Sequence, residues 1–111
     1  MFDERWQALA ARPDARVLVI RLDNIGDVIM LGPALRAIRA NLPRASITLM
    51  ATPGGSQAAP LLPWVDDVMV HRVLWQDITG TWSLDPGREL ALVDELRQRG
   101  FDAAVIFTSF T

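Results

Sequence analysis

The sequence contains no cysteine and no lysine. Without cysteine, the chain forms no disulfide, has no thiolate nucleophile and cannot ligate a metal through a thiolate. Without lysine, it has neither a Schiff-base amine nor the lysine of a phosphate-binding P-loop, because all eleven basic residues are arginine. Histidine occurs once, as His71, with no second ligand at metal-binding spacing. We therefore expect an exposed or capping histidine and no metal site.

Long apolar runs are also missing. No stretch approaches the roughly 18 apolar residues of a membrane-spanning helix. The first residues, MFDERWQALAARPDAR, are charged throughout and do not resemble a signal peptide. The formal net charge is −2, and acids and bases are scattered along the chain. That pattern lacks the basic stripe of a nucleic-acid-binding protein and the cationic face of a membrane-surface helix. We expect a cytoplasmic protein that binds no nucleic acid.

What the sequence does contain is an alternation of strands and helices. Its 111 residues, half of them apolar, suffice for one small domain with one core. The first strand, VLVIRL at residues 17–22, is almost continuously apolar and β-branched, as in strands buried on both faces of a parallel sheet. Further patterns predict strands at 46–51, 67–71 and 103–107, and helices at 4–11, 27–41, 56–62 and 86–99.

This order predicts an α/β fold, a Rossmann-like parallel sheet with helices on both faces and right-handed crossovers. We divide the chain into an N-terminal helical extension, residues 1–14, and an incomplete Rossmann-like domain, residues 15–111. The domain looks incomplete because no helix follows AAVIFTSFT to cover the fourth strand. An uncovered sheet would expose apolar surface, which leaves self-association open.

The helix at 27–41 contains a proline. Pro33 cannot donate a backbone hydrogen bond, so it should either kink this helix or begin its second part. By the same helical spacing, Arg36 and Arg39 should face solvent.

The two later helices carry capping signals. Ser56 is a candidate N-cap for the short helix at 56–62. For the helix at 86–99, Asp85 should be the N-cap and Gly100 should end the helix. Its buried side should consist of four apolar residues, Leu90, Leu92, Val93 and Leu96.

The candidate site lies in RLDNIGDVIMLGPALR, residues 21–36, where the first strand hands over to a helix. Its polar and small residues are Asp23, Asn24, Gly26 and Asp27. Ligands of open α/β sheets bind outside the carboxyl ends of the strands, which is where these residues fall. Gly26 would permit unusual backbone angles and close approach of a ligand. The stretch is neither a GxGxxG dinucleotide fingerprint nor a Walker loop.

Asp27 has two readings. In the first turn of a helix its carboxylate is favoured by the helix dipole, and it could take a proton from an attacking sugar hydroxyl. Alternatively, Asp27 and Asn24 merely satisfy helix N–H groups. The local spacing leaves both readings open.

Other residues also have a functional and an ordinary interpretation. Thr108 and Ser109, after the fourth strand, could reach an acceptor sugar. Gly54 and Gly55 could hold a phosphate, although a plain turn is the simpler reading. Two further sets are open in the same way. The tryptophans could stack on a sugar or fill the core, and the adjacent aspartates could pair or form a turn; these are Trp64, Trp75, Trp82, Asp66 and Asp67.

Three segments together resemble a known family. RVLVIRLDNIGDVIMLGPALRAIRANLPRASITLMATP is similar to the start of the family 9 glycosyltransferases, the heptosyltransferases of lipopolysaccharide synthesis. Six residues match the family's opening in order: Arg21, Gly26, Asp27, Pro33, Ala34 and Leu35. PLLPWVDDVMVH and ELRQRGFDAAVIF are similar to later segments, with the Phe-Asp pair intact. The resemblance covers roughly residues 16 to 111.

The resemblance implies part of the N-terminal domain of a two-domain GT-B enzyme. In that family the N-terminal domain holds a lipid-linked acceptor sugar at the inner membrane, and the C-terminal domain holds the ADP-heptose donor. Transfer is inverting and uses no metal or other cofactor. Asp27 would then be the base, and Arg21 would bind acidic groups of acceptor or donor.

Family members are much longer than this chain. The resemblance therefore implies a fragment without the donor domain, inactive on its own. The alternative is a stand-alone Rossmann-like binding or assembly module without catalysis.

Overall fold

A computed structural model describes residues 4–76, 80–81 and 83–108. Within these residues it contains four α-helices and four strands. In chain order these are α1 (Glu4–Ala11), β1 (Arg16–Arg21), α2 (Ile25–Ile29), α3 (Gly32–Asn41), β2 (Ser46–Ala51), β3 (Asp67–Val70), α4 (Pro86–Arg99) and β4 (Ala103–Ile106). Two 3-10 turns, Gly55–Leu61 and Leu74–Gln76, flank β3. Within the described ranges, no helix is long and apolar enough to cross a bilayer.

The four strands form one sheet in the order β3-β2-β1-β4, and every pairing is parallel. Val19 of β1 lies opposite Leu49 of β2 and Val105 of β4, so β1 is central. The central strands are buried on both faces, which explains why their sequences are continuously apolar. The predicted α/β class and parallel sheet are confirmed.

Helices cover both faces of the sheet, as predicted. On one face, Leu35 and Ile38 of α3 pack with Val17 and Val19 of β1, and residues of α1 add to this cluster. On the other face, Leu92 and Leu96 of α4 contact a smaller cluster. The core of that second cluster is Leu18, Leu22, Met50, Met69 and Val73.

The predicted helix at 27–41 is wrong as a single element. The chain forms α2 and α3, because Pro33 has no N–H to bond the carbonyl one turn earlier and instead lies in the first turn of α3. The two helices meet at Leu31, whose carbonyl accepts the N–H of Leu35 at 2.9 Å. Of the two outcomes that Pro33 allowed, the second is confirmed.

Helix α4 begins and ends where its capping residues predicted. The Asp85 carboxylate accepts the N–H of Arg88 at 3.1 Å, and Gly100 ends the helix with a φ of 62°. The predicted buried side is wrong, because no residue of α4 is fully buried. Leu92 and Leu96 are partly buried and pack against the sheet, whereas Leu90 is 65% exposed and Val93 47% exposed.

The segment predicted as helix 56–62 is the 3-10 turn Gly55–Leu61. Ser56 is not its N-cap, which is Gly54. The Ser56 hydroxyl instead donates to the carbonyl of Pro53 at 2.8 Å. Pro60 lies inside this turn, and its missing N–H is compatible with a short 3-10 segment more than with an α-helix.

The amino edge of the sheet is closed by two similar aspartate contacts. Asp102, just before β4, accepts the N–H of Arg16 at 2.8 Å, and its own N–H donates to the Arg16 carbonyl at 2.8 Å. Asp66, just before β3, makes the same reciprocal pair with Ile47 of β2, also at 2.8 Å. Each carboxylate therefore fastens the start of its strand to the neighbouring one.

An arginine completes each contact. Arg12 donates to Asp102 at 2.9 Å, and Arg39 donates to Asp66 at 2.6 Å. Arg39 also donates to the carbonyls of Ala45 and Trp64, at 2.6 and 3.1 Å. The prediction that Arg39 faces solvent is therefore wrong, because its guanidinium satisfies carbonyls in the two connections that follow α3.

Candidate functional site

The strand order creates one topological switch point. From β1 the chain moves outward to β2 and β3, and then returns through α4 to place β4 on the other side of β1. Ligands of open α/β sheets bind in the crevice at such a point, outside the carboxyl ends of the two strands. Here those ends bring Arg21 and Leu22 next to Phe107 and Thr108.

Two side-chain hydrogen bonds join the carboxyl ends of β1 and β4 at the switch point. The Arg21 guanidinium donates to the Phe107 carbonyl, and the Leu22 N–H donates to the Thr108 hydroxyl at 2.7 Å. Thr108 is therefore brought to the site as predicted, although its hydroxyl oxygen is already engaged by the backbone. Ser109, the other residue predicted there, lies outside the described residues.

Arg21 organises the acidic groups of the site. Its Nε lies 3.0 Å from Oδ2 of Asp23, and its Nη2 lies 3.5 Å from Oδ1 of Asp27. The Nε–Oδ2 contact lacks hydrogen-bond alignment, and among the described residues neither atom has a hydrogen-bond partner. Two carboxylates thus share one guanidinium through unequal and imperfectly aligned contacts. Such a pair can be reoriented at lower cost than one held by aligned hydrogen bonds.

The capping reading of Asp27 is confirmed, because its Oδ2 accepts the N–H of Asn24 at 3.2 Å. Its side chain remains 39% exposed, so the carboxylate is accessible to solvent. The reading of Asp27 as a base stays a prediction. The dipole argument is weaker than predicted, because α2 has five residues and does not continue to residue 41.

The predicted reason for Gly26 is only partly correct. Gly26 lies inside α2, and among the described residues only Gly80 and Gly100 have a positive φ. No unusual backbone angle therefore requires glycine at position 26. A β-carbon at Gly26 would meet nothing within 4 Å. The open space beside it leaves room for close approach of a ligand.

Gly55 supports the loop from the side, a role that the sequence reasoning missed. A β-carbon at Gly55 would lie 2.9 Å from the side chain of Val28 and 3.2 Å from the Asp23 carbonyl. The Gly55 N–H donates to the Thr52 hydroxyl at 3.0 Å, and that hydroxyl donates to the Asp23 carbonyl at 2.9 Å. Thr52 is buried, so this chain of hydrogen bonds fixes the loop that carries Asp23.

His71 was predicted to be exposed or capping, and this is wrong. It follows β3 and is only 9% exposed. Its Nε2 lies 3.1 Å from Oε2 of Glu89 on α4. The Arg88 guanidinium, and then His71, hold the pKa of the Glu89 carboxyl below its usual range. Only the tertiary structure places α4 over the end of β3, so no local signal could have revealed this pair.

The predicted residues fall into two groups. Arg21, Asp23, Asn24, Gly26, Asp27 and Thr108 meet at the carboxyl edge. Asp66 lies at the opposite edge as a structural residue, and Asp67 pairs with Arg99 at 2.8 Å. The carboxylate-pair reading of Asp66 and Asp67 therefore fails, because the two side chains have separate arginine partners.

Comparison with known proteins finds solved structures that share this fold. No family model and no curated protein matches the chain. Solved structures do match, and two of them are described here. A glycosyl transferase family 9 structure from Veillonella parvula DSM 2008 superposes with a TM-score of 0.67 and 22% sequence identity. The E. coli heptosyltransferase WaaC, solved with ADP-2-deoxy-2-fluoro heptose, superposes with a TM-score of 0.64 and 22% identity.

The overlap covers most of this chain and a small part of each neighbour. It takes in 86% of this chain and 26% of the Veillonella protein, and 82% of this chain and 29% of the E. coli enzyme. The chain therefore spans between a quarter and a third of the length of these neighbours. At this identity the match establishes the fold, and it agrees with the resemblance drawn from the sequence.

Proposed function

We propose that this chain forms the acceptor-binding side of an inverting glycosyltransferase of the GT-B type, with Asp27 as the general base. The observation that carries the proposal is a half-exposed carboxylate beside an arginine at the switch point of the sheet. A fold shared with two glycosyltransferase structures supports it. The donor would bind to a domain outside these residues, and this chain alone would not transfer sugar.

The proposed step is a single displacement. An acceptor hydroxyl attacks the anomeric carbon of ADP-heptose as the bond from that carbon to the diphosphate breaks. The hydroxyl proton passes to the Asp27 carboxylate, and ADP leaves with the bonding electron pair. Because the hydroxyl becomes acidic only as its new bond forms, a carboxylate suffices as base late in the step.

Arg21 and Asp23 would position this base. Arg21 contacts both carboxylates and is anchored on the carbonyl of Phe107, just after β4, so it holds the side chains of Asp23 and Asp27 near each other. The acceptor in this proposal is a lipid-linked core sugar of lipopolysaccharide at the cytoplasmic face of the inner membrane.

The first test is acceptor binding by the chain itself. Deacylated lipopolysaccharide core oligosaccharide is titrated into ¹⁵N-labelled protein, with ADP as the matched control. We expect saturable shifts at the amides of residues 23–27 and 108 with the oligosaccharide, and none with ADP. Saturable shifts elsewhere only, or with ADP alone, would contradict an acceptor-side role.

The second test concerns the base. In a protein that joins this segment to a donor-binding domain, Asp27→Asn should lower kcat by about 100- to 10,000-fold while both KM values change little. Asp14→Asn, far from the crevice at the amino edge, is the control. Equal losses in kcat and in acceptor affinity would show that Asp27 binds the acceptor and does not act as base.

One observation keeps an assembly module as a second candidate. Ile106 on the edge strand β4 is 68% exposed, and Leu90 on α4 is 65% exposed. Exposed apolar groups beside an unpaired strand edge favour association with another chain. Sedimentation of the chain separates the two candidates: a defined dimer that Ile106→Glu dissociates, together with no oligosaccharide binding, would favour the module.

A further inference from the structure

Trp75 is the most exposed of the tryptophans that the structure describes. Its side chain is 52% exposed, whereas Trp6 and Trp64 are partly buried and pack against the larger core cluster. An indole that fills a core would be covered, so the core reading of Trp75 does not hold. The ring instead lies on the 3-10 turn Leu74–Gln76, which follows β3 at the carboxyl edge.

The indole is held against the site. Its Nε1 donates to the carbonyl of Leu22 at 3.2 Å. That carbonyl belongs to the peptide that joins Leu22 to Asp23, and the N–H of Leu22 is bonded to Thr108. One edge of the ring is therefore fixed to the same loop that carries Asp23 and Asp27, while Trp75 is 52% exposed to solvent.

The geometry points to Trp75 as the aromatic platform of a sugar-binding subsite beside Asp23 and Asp27. This inference rests on the proposed function and names the group that would hold the acceptor ring. The C–H face of a sugar ring suits the electron-rich face of an indole. The hydroxyls around that ring suit nearby carboxylate acceptors, and an apolar wall with a few convergent polar groups is the usual form of a small-molecule site.

The charges of the site argue against a nucleotide on the same ring. A base could stack on Trp75 equally well. Its phosphates would then face the carboxylates of Asp23 and Asp27, with Arg21 as the single counter-charge that contacts both. Two anionic groups against one cation disfavour a diphosphate and tolerate a neutral or hydroxyl-rich ring.

The test compares four proteins: wild type, Trp75→Leu, Trp75→Phe and Trp6→Phe. The last is the matched control, because Trp6 lies beside Asp102 and Ala103 at the opposite edge of the sheet. Deacylated core oligosaccharide and ADP are the two probes, with Kd measured by calorimetry and unfolding by urea. Trp75→Phe keeps a ring but loses the N–H, so it separates stacking from the bond to Leu22.

We expect Trp75→Leu to weaken oligosaccharide binding about tenfold and Trp75→Phe about threefold, with no change in Trp6→Phe. If Trp75→Leu binds like wild type while the amides of residues 23–27 still shift, the platform is wrong and the acceptor-side proposal stands. If the wild-type chain binds no oligosaccharide, both the Trp75 platform and the acceptor-side proposal are wrong. Binding of ADP that depends on Trp75 would overturn the sugar platform in favour of a nucleotide subsite.

Discussion

The two edges of the sheet use the same residue types differently. At the amino edge, Asp66 and Asp102 each bond a backbone N–H of the neighbouring strand and one arginine at short distance. At the carboxyl edge, Asp23 and Asp27 share Arg21 through contacts of 3.0 and 3.5 Å. The first arrangement locks strands together. The second fastens no strand to its neighbour, and Oδ2 of Asp23 has no hydrogen-bond partner among the described residues.

Arginines and backbone N–H groups lower the pKa of two structural carboxyls. At the amino edge, the N–H of Arg16 and then the Arg12 guanidinium hold the pKa of the Asp102 carboxyl below its usual range. Asp67, at the start of β3, has its pKa lowered by Arg99 first. An aspartate paired with an arginine in the structure thus does not mark a functional site by itself, because the same pairing can serve strand alignment.

Removing one aspartate from each edge is the strongest test of this comparison. Asp102→Ala should lower the free energy of unfolding by about 2 kcal/mol, because it leaves the Arg16 N–H without its charged acceptor. Asp27→Asn, which keeps an oxygen able to accept the Asn24 N–H, should change it by less than about 0.5 kcal/mol. Urea denaturation measures both.

Asp14→Ala is the control for Asp102→Ala, because exposed Asp14 contacts the same Arg12 at 3.2 Å without a backbone partner. It should cost under about 0.5 kcal/mol. Equal losses in Asp102→Ala and Asp14→Ala would mean that the ion pair, and not the backbone contact, matters at the amino edge.

Two glycines sharpen the comparison within the carboxyl edge. Gly55→Ala should destabilise the protein by about 1 to 3 kcal/mol, because its β-carbon would press on Val28 and the Asp23 carbonyl. Gly26→Ala should stabilise it by up to about 1 kcal/mol, since position 26 is helical and open.

Thermal unfolding of both variants, together with oligosaccharide binding, checks this pair. If Gly26→Ala is more stable yet binds the oligosaccharide more weakly, the glycine serves ligand approach. If Gly26→Ala is destabilised, the helical assignment of its surroundings is at fault.

The smallest expected effect concerns pH. The pKa of Asp102 is lower in the folded state than in the unfolded state. Its stabilising contribution is therefore complete above the ordinary carboxyl pKa of about 4 and is lost as pH falls through the folded-state pKa.

The stability difference between wild type and Asp102→Asn should accordingly narrow as pH falls from about 6 to about 3. Urea unfolding across that range, compared between the two proteins, cancels the titration of the other carboxyls. A difference that stays constant with pH would show that charge on Asp102 contributes nothing.

Short-range sequence patterns predicted the bounds of β1 and α4 well. The β-branched stretch VLVIRL gave β1 to within one residue, and Asp85, Pro86 and Gly100 bounded α4. Such patterns failed where neighbours in space decide. Leu90 and Val93 fit helical spacing as buried residues, but the sheet beneath α4 reaches only Leu92 and Leu96.

The candidate site also has a part that the sequence predicted and a part that it did not. Its loop, residues 21–27, was predicted from a strand that hands over to a helix. The contacts that Thr52, Gly55 and Trp75 make with this loop were not predicted, because each of these residues is distant from it in sequence.

The sequence by itself determined the four strands and the first and last helices, because apolar periodicity and capping residues act over a few neighbouring positions. It also determined that the polar loop follows a buried strand. Only the tertiary structure decided that β4 pairs with β1 and not with β3. The pairing of β4 with β1 places Phe107 and Thr108 beside Arg21 and Leu22. The physical reason is that strand order depends on the packing of whole faces across the sheet, and no short stretch of residues contains that information.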